Sequence, residues 1–377
     1  MVDKRKFKDT NVSLLGLGTM RLPCDTEQKR ESNPNIDYDK AQSLVDLAYK
    51  NGVNYFDTAY MYHCGKSEAF IGYALKKYPR NTYFIADKLP IWLCDTKEDM
   101  KCVFDEQLER TGMDYFDFYL LHSLDNENFE KCEKLDAYDF LKKMQKEGKI
   151  KYIGFSFHGT VDDLRNIVSA HKWDFAQIQM NYLDWENQNA KMQYQILEDA
   201  GIPIIVMEPV RGGKLALVND EISDMFKSLK PDNSPASWAM GFVASHKNII
   251  TILSGMNSAE QMLDNLSTLT DFKPFTDIEY SICEKVAAII NKSEVISCTG
   301  CDYCQPCPKG IKISSFFSLY NSVVSGEIDI NSGRDKYNSY KVNPTACAWC
   351  NKCKNHCPQS ISVPDVLEGK VVKLFMQ

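Results

Sequence analysis

At 377 residues, with 44% apolar and 25% charged residues, the chain is long enough for one large and one small domain and has the composition of a soluble globular protein. Its net charge of -7 argues against general binding to nucleic acid or to an acidic membrane surface. No apolar run approaches a membrane span, the longest (Ile202 to Met207) being strand-sized, and no apolar signal core follows the charged start Met1-Val2-Asp3-Lys4-Arg5-Lys6.

From residue 11 to about 270, short apolar runs alternate with longer helical patterns. The runs are Leu14–Gly18, Val53–Asp57, Tyr83–Lys88, Phe116–His122, Tyr152–Ser156, Phe175–Gln179, Ile202–Met207 and Thr251–Gly255, most of them one strand–helix unit apart. Between the first two, Asp39 to Asn51 places Leu44, Val45, Leu47 and Ala48 at helical spacing and closes on Gly52. Lys97 to Thr111 does the same with Met100, Val103, Phe104 and Leu108, followed by Gly112. Alternating βα units imply a parallel sheet, and eight of them fit a closed (β/α)8 TIM barrel, for which about 250 residues is typical. The alternative is an open doubly wound sheet. It is disfavoured because Gly16-Leu17-Gly18-Thr19 lacks the third glycine of a dinucleotide-binding turn.

Asp271 to Val295 reads as a connector containing a helix, after which eight of the 14 cysteines crowd into two groups, each closed by a proline. The first is Cys298-x2-Cys301-x2-Cys304-x2-Cys307-Pro308 and the second Cys347-x2-Cys350-x2-Cys353-x3-Cys357-Pro358. Thiolates at this spacing hold iron–sulfur clusters, whereas zinc sites use two separated pairs of ligands. In two-cluster ferredoxins the fourth cysteine of each run serves the other cluster. That rule assigns Cys298, Cys301, Cys304 and Cys357 to one 4Fe-4S cluster, and Cys347, Cys350, Cys353 and Cys307 to the second. The residues between the groups, Ile311 to Val342, read as polar with a helix or two. The tail as a whole reads as a small α-rich, ferredoxin-like unit too poor in core to stand without its clusters. The expected domains are thus residues 1–280 and 281–377. Cys24, Cys64, Cys94, Cys102, Cys132 and Cys283 show no paired pattern, and free thiols beside cluster ligands fit a reducing cytoplasm.

Reactive residues of an eight-fold barrel sit at the C-terminal strand ends. Those ends are Asp57, Lys88, His122, Ser156, Gln177, Met207 and Gly255, with Tyr62 five residues beyond Asp57. In type, order and approximate spacing, Asp57, Tyr62, Lys88 and His122 resemble the catalytic tetrad of the aldo-keto reductases. Gly16-Leu17-Gly18-Thr19-Met20, Phe56-Asp57-Thr58-Ala59, Gly65-Lys66-Ser67-Glu68 and Leu120-Leu121-His122 agree with it. The resemblance covers roughly residues 10 to 270. With the cysteine tail and Glu208-Pro209-Val210-Arg211-Gly212-Gly213-Lys214-Leu215, the whole chain is similar to the branch of that family carrying a C-terminal 4Fe-4S dicluster domain.

The resemblance implies a nicotinamide-dependent carbonyl/alcohol oxidoreductase with Tyr62 as general acid, Lys88 tuning it, Asp57 anchoring Lys88 and His122 positioning a small-molecule carbonyl. Tyrosine has a pKa near ~10, and an ammonium about 4 Å away favours phenolate by roughly 4 kcal/mol at an effective dielectric of ~20, or about three pKa units, before desolvation opposes it. Lys88 is therefore expected to make Tyr62 acidic. The implied cofactor contacts are Gly18, Thr19, Met20 and Asp57; Ser156 and Gln177 on the carboxamide; and Met207 where relatives stack a tyrosine. The backbone around Pro209, Arg211, Gly213 and Leu215 would meet the pyrophosphate. Gly255, Met256, Ser258, Gln261 and Asn265 would meet the adenosine end. Ser258 and Gln261 replace the cations that many relatives place on a 2′-phosphate, which leaves NAD against NADP open. Nicotinamide moves electron pairs and a cluster moves single electrons, so a flavin is a further candidate cofactor and a ferredoxin or other electron-transfer protein a candidate partner. The alternative function is an electron-transfer or redox-sensing protein with a catalytically altered barrel. Met20, Tyr60, Trp92 and Met180 are candidate pocket walls.

Overall fold

The computed structural model describes residues 1–25 and 35–376. The chain starts with a hairpin, β1 (Lys4–Phe7) and β2 (Thr10–Ser13), paired antiparallel. Eight strands follow: β3 (Leu15–Gly18), β4 (Tyr55–Asp57), β5 (Phe84–Leu89), β6 (Phe116–Leu124), β7 (Ile150–Phe157), β8 (Phe175–Gln179), β9 (Ile204–Met207) and β10 (Ile249–Ser254). They pair in parallel, in chain order, and β10 returns to β3 to close the barrel. Parallel strands covered on both faces read as near-continuous apolar runs, which is why all eight expected runs are strands here. The expected helices are present too. Tyr38–Lys50 starts on an Asp37 carboxylate that accepts the Lys40 amide, and Lys97–Thr111 starts on a reciprocal cap between Thr96 and Asp99 and stops at left-handed Gly112.

The barrel interior is filled by Tyr55, Ala86, Phe118, Leu120, Phe175, Ile205 and Leu253. Phe7 and Val12 of the hairpin join this cluster, where Phe7 packs edge-on against Tyr152 at 4.9 Å and against Phe118 at 5.4 Å between ring centres. Tyr55 and Phe175 begin their strands and Ile250 is second in its own, so the hairpin stoppers the N-terminal mouth. Side chains alternate along a strand. The residue two beyond each inward core residue therefore also points inward, one layer higher: Asp57 above Tyr55, Lys88 above Ala86, His122 above Leu120, Gln177 above Phe175 and Met207 above Ile205. The same alternation puts Ser156 above Gly154. A Cβ on Gly154 would lie 2.6 Å from both the carbonyl oxygen and the ring of Phe175, so the missing side chain makes room for that ring. Gly154→Ala is expected to destabilise the barrel by about 1–3 kcal/mol through overpacking. A urea midpoint equal to that of the parent would refute this.

The chain divides into two compact units. One is Met1–Val210 with Leu215–Val286, and the other is Arg211–Lys214 with Ala287–Gln377. The division falls inside the helix Asp277–Asn291. The second unit is helical among its described residues, with Ile313–Val324 and Ile330–Ser339 as its longer helices. The segment Ile311 to Val342 is not simply polar, as its composition implies. Ile313, Phe316, Phe317 and Tyr320 recur at helical spacing and form one buried stripe with Leu319, packed with Tyr337, Val363, Leu367 and Phe375. The stripe's spacing, not the local count of apolar letters, carries that core. Among the described residues no helix is long and apolar enough to cross a membrane.

Candidate functional site

Register and alternation bring one polar group after another to the C-terminal mouth of the barrel. Lys88, wholly buried, donates to Asp57 Oδ1 at 2.8 Å, to the Thr58 carbonyl at 2.6 Å and to the Tyr62 hydroxyl at 3.4 Å. An ammonium has three protons, and here each has an acceptor, so its orientation is set. Its nitrogen also lies 4.9 Å from the Tyr62 ring centre. His122 meets the Tyr62 ring edge-on at 6.4 Å, and Trp92 closes its other side at 5.1 Å. The His122 Nδ1 is buried with no hydrogen-bond partner. Burial first, then the Lys88 charge, holds the imidazole well below its usual pKa, so it is neutral at physiological pH.

Tyr62 departs from the expectation that Lys88 makes it acidic. Loss of water pushes its phenol well above the ordinary tyrosine value, the Asp57 and Glu208 carboxylates push it the same way, and Arg21 opposes them. Burial is the largest cause, and the arrangement of the charges adds to it. Asp57 sits closer to the ammonium than Tyr62 does, so the phenol faces a nearly neutral ion pair instead of a lone cation. Asp57 itself is raised by burial even with Lys88 against it, and its Oδ2 has no partner.

Other parts of the site were not expected as such: Glu68 and Glu208 entered only inside motifs of the resemblance, and Gln107, Arg110 and Asn181 carry no sequence signal of their own. Gln107 Nε2 bonds the Lys88 carbonyl at 3.1 Å and Glu68 Oε1 at 2.9 Å, and Arg110 holds the other Glu68 oxygen at 2.9 Å. Asp87 Oδ1 accepts the Lys88 amide at 2.8 Å. These buried groups fix the wall from which Lys88 projects. Arg21 pairs with Glu208 at 2.6 Å, and Asn181 holds the Glu208 carbonyl at 3.0 Å in a left-handed conformation with φ 54°. Glu208 Oε2 is buried and without a partner.

Of the residues implied for a cofactor, several converge near this mouth. The Thr19 hydroxyl donates to the Asp57 carbonyl at 2.9 Å and meets the Ser67 hydroxyl at 2.6 Å; Gly18 pairs with Asp57 across the sheet. Met20 is half-buried just beyond. Ser156 stands opposite Gln177 and accepts the Ser123 amide at 2.7 Å, which leaves its own proton to donate. Gln177 donates to the Met207 sulfur at 3.6 Å, and its buried Oε1 has no partner. An orphaned amide oxygen beside a serine hydroxyl matches the two complementary ends of a carboxamide, so these residues fit a nicotinamide. At the other side, Gly255 lies against the Arg21 side chain and Met256 is buried. Ser258 caps its helix by accepting the Gln261 amide at 3.3 Å, Gln261 accepts the Asn257 amide at 3.0 Å, and Asn265 donates to the Ser254 hydroxyl at 3.0 Å. Pro209 and Leu215 are buried in the first unit; Arg211 and Gly213 belong to the second. Among the candidate pocket walls, Trp92 lines the site. Tyr60 turns its hydroxyl to Glu106 at 2.7 Å and Met180 is core.

The cysteine runs of the second unit share one backbone pattern. Residues two and four beyond the first cysteine are left-handed in both: Gly300 (φ 67°) and Asp302 (φ 63°), then Trp349 (φ 53°) and Asn351 (φ 58°). So are the residues three beyond the last cysteine, Gly310 (φ 76°) and Ser360 (φ 52°), each closing a turn onto the cysteine carbonyl at 2.8 and 3.0 Å. In each run a main-chain N–H points at the first sulfur, Gly300 to Cys298 at 3.3 Å and Trp349 to Cys347 at 3.5 Å. The thiols perturb one another in two sets. Cys304 is raised by burial and by Cys301, Cys298 and Cys357; Cys353 is raised by burial and by Cys347 and Cys307. Cys307, Cys347, Cys350 and Cys353 line one cavity, which Cys304 also borders. The grouping is consistent with the crossed sets expected from the cysteine spacing, and sulfurs approached by N–H donors fit thiolate ligands. Among the described residues, no three His, Cys, Asp or Glu side chains converge as ligands to a single ion.

Residues 14–288 match the model of the Aldo/keto reductase family. The chain belongs to the aldo/keto reductase family. A probable aldo-keto reductase of soybean (Glycine max) is 28% identical over 210 residues, covering 54% of this chain and 57% of its own length. The NADH-specific methylglyoxal reductase of Escherichia coli is 24% identical over 304 residues, covering 69% of this chain and 91% of its own. Among solved structures, an aldo-keto reductase of Klebsiella pneumoniae in complex with NADPH superposes with a TM-score of 0.60 at 19% identity, covering 76% of this chain and 95% of its own, a likeness of fold. The family match ends at residue 288, so the cysteine runs lie outside it.

Proposed function

We propose that this aldo/keto reductase interconverts a small carbonyl compound and its alcohol with a nicotinamide, with Tyr62 as the proton donor, and exchanges electrons with a protein partner of ferredoxin type through two 4Fe-4S clusters. The observation that carries the reading is the convergence of Tyr62, Lys88, Asp57 and neutral His122 at one barrel mouth. The nicotinamide supplies a hydride. The chain's own groups do the rest. His122, uncharged, offers a hydrogen bond that orients the carbonyl oxygen without competing for its proton. Tyr62 donates a proton to that oxygen as negative charge develops. The Lys88–Asp57 pair stabilises the phenolate left behind, and Trp92 covers one side of the site.

Residues 255–265, Gly-Met-Asn-Ser-Ala-Glu-Gln-Met-Leu-Asp-Asn, contain no lysine or arginine. With Ser258 and Gln261 occupied in their own loop, this end has no charge-assisted grip on a 2′-phosphate. Anaerobically purified protein is expected to oxidise NADH with small aldehydes at least as efficiently as NADPH. A kcat/KM tenfold higher for NADPH would overturn that preference, and no nicotinamide oxidation with any aldehyde or ketone would overturn the activity itself.

The raised phenol sets the pH behaviour. Reduction needs protonated Tyr62, and a pKa above the ordinary value keeps it protonated through the neutral and mildly alkaline range. The rate of carbonyl reduction is therefore expected to be flat between about pH 7 and 9, while alcohol oxidation, which needs the phenolate, rises across that range. A reduction rate that halves near pH 8 is the outcome that contradicts this assignment.

A further inference from the structure

The second unit contains four residues far from the rest of it in sequence, Arg211–Lys214, which begin four positions after Met207. They lie against the first cysteine run. Gly212, left-handed at φ 66°, is so close to Thr299 that a Cβ would sit 2.6 Å from the Thr299 carbonyl oxygen. Lys214 Nζ donates to the Ile296 carbonyl. Buried Arg211 donates to Gln359 Oε1 at 3.4 Å, two residues beyond Cys357. The contacts thus flank Cys298 from one side and Cys357 from the other, and both cysteines belong to the same crossed set. The cysteine runs share a backbone pattern, but the charges around them differ. At the Cys307, Cys347, Cys350 and Cys353 set, the cations lining the cavity are Lys309 and Lys352, both exposed to solvent. At the first set the nearby anion is Asp302, whose Oδ1 is buried without a partner.

Resting on the two-cluster reading above, we infer that Arg211 and Lys214 make the cluster held by Cys298, Cys301, Cys304 and Cys357 the more readily reduced of the two. Reduction adds one electron, hence one negative charge, to a cluster already carrying four thiolates. A cation in low-dielectric surroundings favours that added charge far more than one in water, where solvent screens it. Arg211 and Lys214 together outweigh Asp302 by one charge, while the exposed lysines at the second set are screened. The two clusters therefore differ in potential although their cysteine loops are alike, and an electron entering the pair comes to rest on the first.

The test is a redox titration of the anaerobic full-length protein at pH 7, following the reduced clusters by electron paramagnetic resonance. Two one-electron midpoints are expected in the parent. Lys214→Met and Arg211→Gln should each lower the higher midpoint, changing the reduced-to-oxidised ratio at fixed potential at least tenfold, or 59 mV for one electron. Asp302→Asn should raise that same midpoint and leave the other in place. Opposite shifts of one midpoint also rule out a general loss of cluster integrity as the cause. Unchanged midpoints, or equal shifts of both, overturn the inference while the cluster reading stands. A parent protein with no iron, no acid-labile sulfide and no signal overturns the cluster reading instead.

Discussion

Tyr62→Phe is expected to reduce kcat for carbonyl reduction by about 10²- to 10⁴-fold, the usual contribution of a positioned general acid, with little change in KM. The substitution removes one oxygen. That oxygen's recorded partner is Lys88, at a long 3.4 Å, whereas Lys88 keeps its shorter bonds to Asp57 at 2.8 Å and to Thr58 at 2.6 Å. The ring contact with His122 and the ammonium over the ring survive in phenylalanine. Folding should therefore be nearly unaffected, and thermal melts of parent and variant should agree within a few degrees. Full retention of carbonyl reduction in the variant would remove Tyr62 from the mechanism and favour a barrel that serves electron transfer alone. Lys88→Met is a different experiment, because it leaves the buried Asp57 carboxylate without its cation. Breaking a buried pair from one side costs roughly 3–5 kcal/mol, so that variant confounds chemistry with stability.

How much of this was legible in the sequence follows from the range of each interaction. The eight barrel strands were, because strands covered on both faces must be apolar almost throughout, and the polar residues that end five of the runs mark the open mouth. Asp57, Lys88, His122 and Gln177 were read from those strand ends. The hairpin Lys4–Phe7 and Thr10–Ser13 was not, since only Phe7 and Val12 face the interior cluster and four-residue strands leave too few positions to show a period. The net acidity of Tyr62 was not legible because sequence order shows neither how far burial outweighs the ammonium nor which charged pair is closer. At 2.8 Å from Lys88, Asp57 neutralises the cation that the phenol was expected to feel. Glu208 and Arg21 lie 187 positions apart and meet only once the barrel closes. The placement of Arg211–Lys214 in the second unit is likewise a tertiary fact. Its only local trace is Gly212-Gly213, two left-handed glycines, the first of which lets the backbone approach Thr299.

On the proposed two-cluster reading, removing the iron from the second unit should unfold its cysteine segments while leaving the barrel intact. Its apolar core, built on Phe316, Phe317, Leu319, Tyr320 and Tyr337, packs directly against Cys298, Cys304, Cys307, Cys347, Cys353 and Cys357. The sulfurs are thus part of the core. The segments bearing them have little regular structure: residues 296–312 contain no helix or strand, and residues 343–362 contain only the short turns Pro344–Ala346 and Lys352–Asn355. Such segments draw their order from what the cysteines hold. Apparent metal-binding energies in small metal-dependent folds are on the order of 10 kcal/mol, comparable to the roughly 5–15 kcal/mol that separates a whole domain from its unfolded state. Without iron, burial also raises Cys298, Cys304, Cys353 and Cys357, so the thiols return as neutral groups with no charge to anchor a cluster. The helices Ile313–Val324 and Ile330–Ser339 retain their mutual apolar contact and should persist as a loosened pair. Limited proteolysis of chelator-treated protein is therefore expected to cut within residues 296–312 and 343–362, releasing a barrel fragment whose melting temperature matches that of the holoprotein. Equal protection of both segments before and after iron removal would show that the core alone holds the unit together, and that the clusters are carried by this fold without building it.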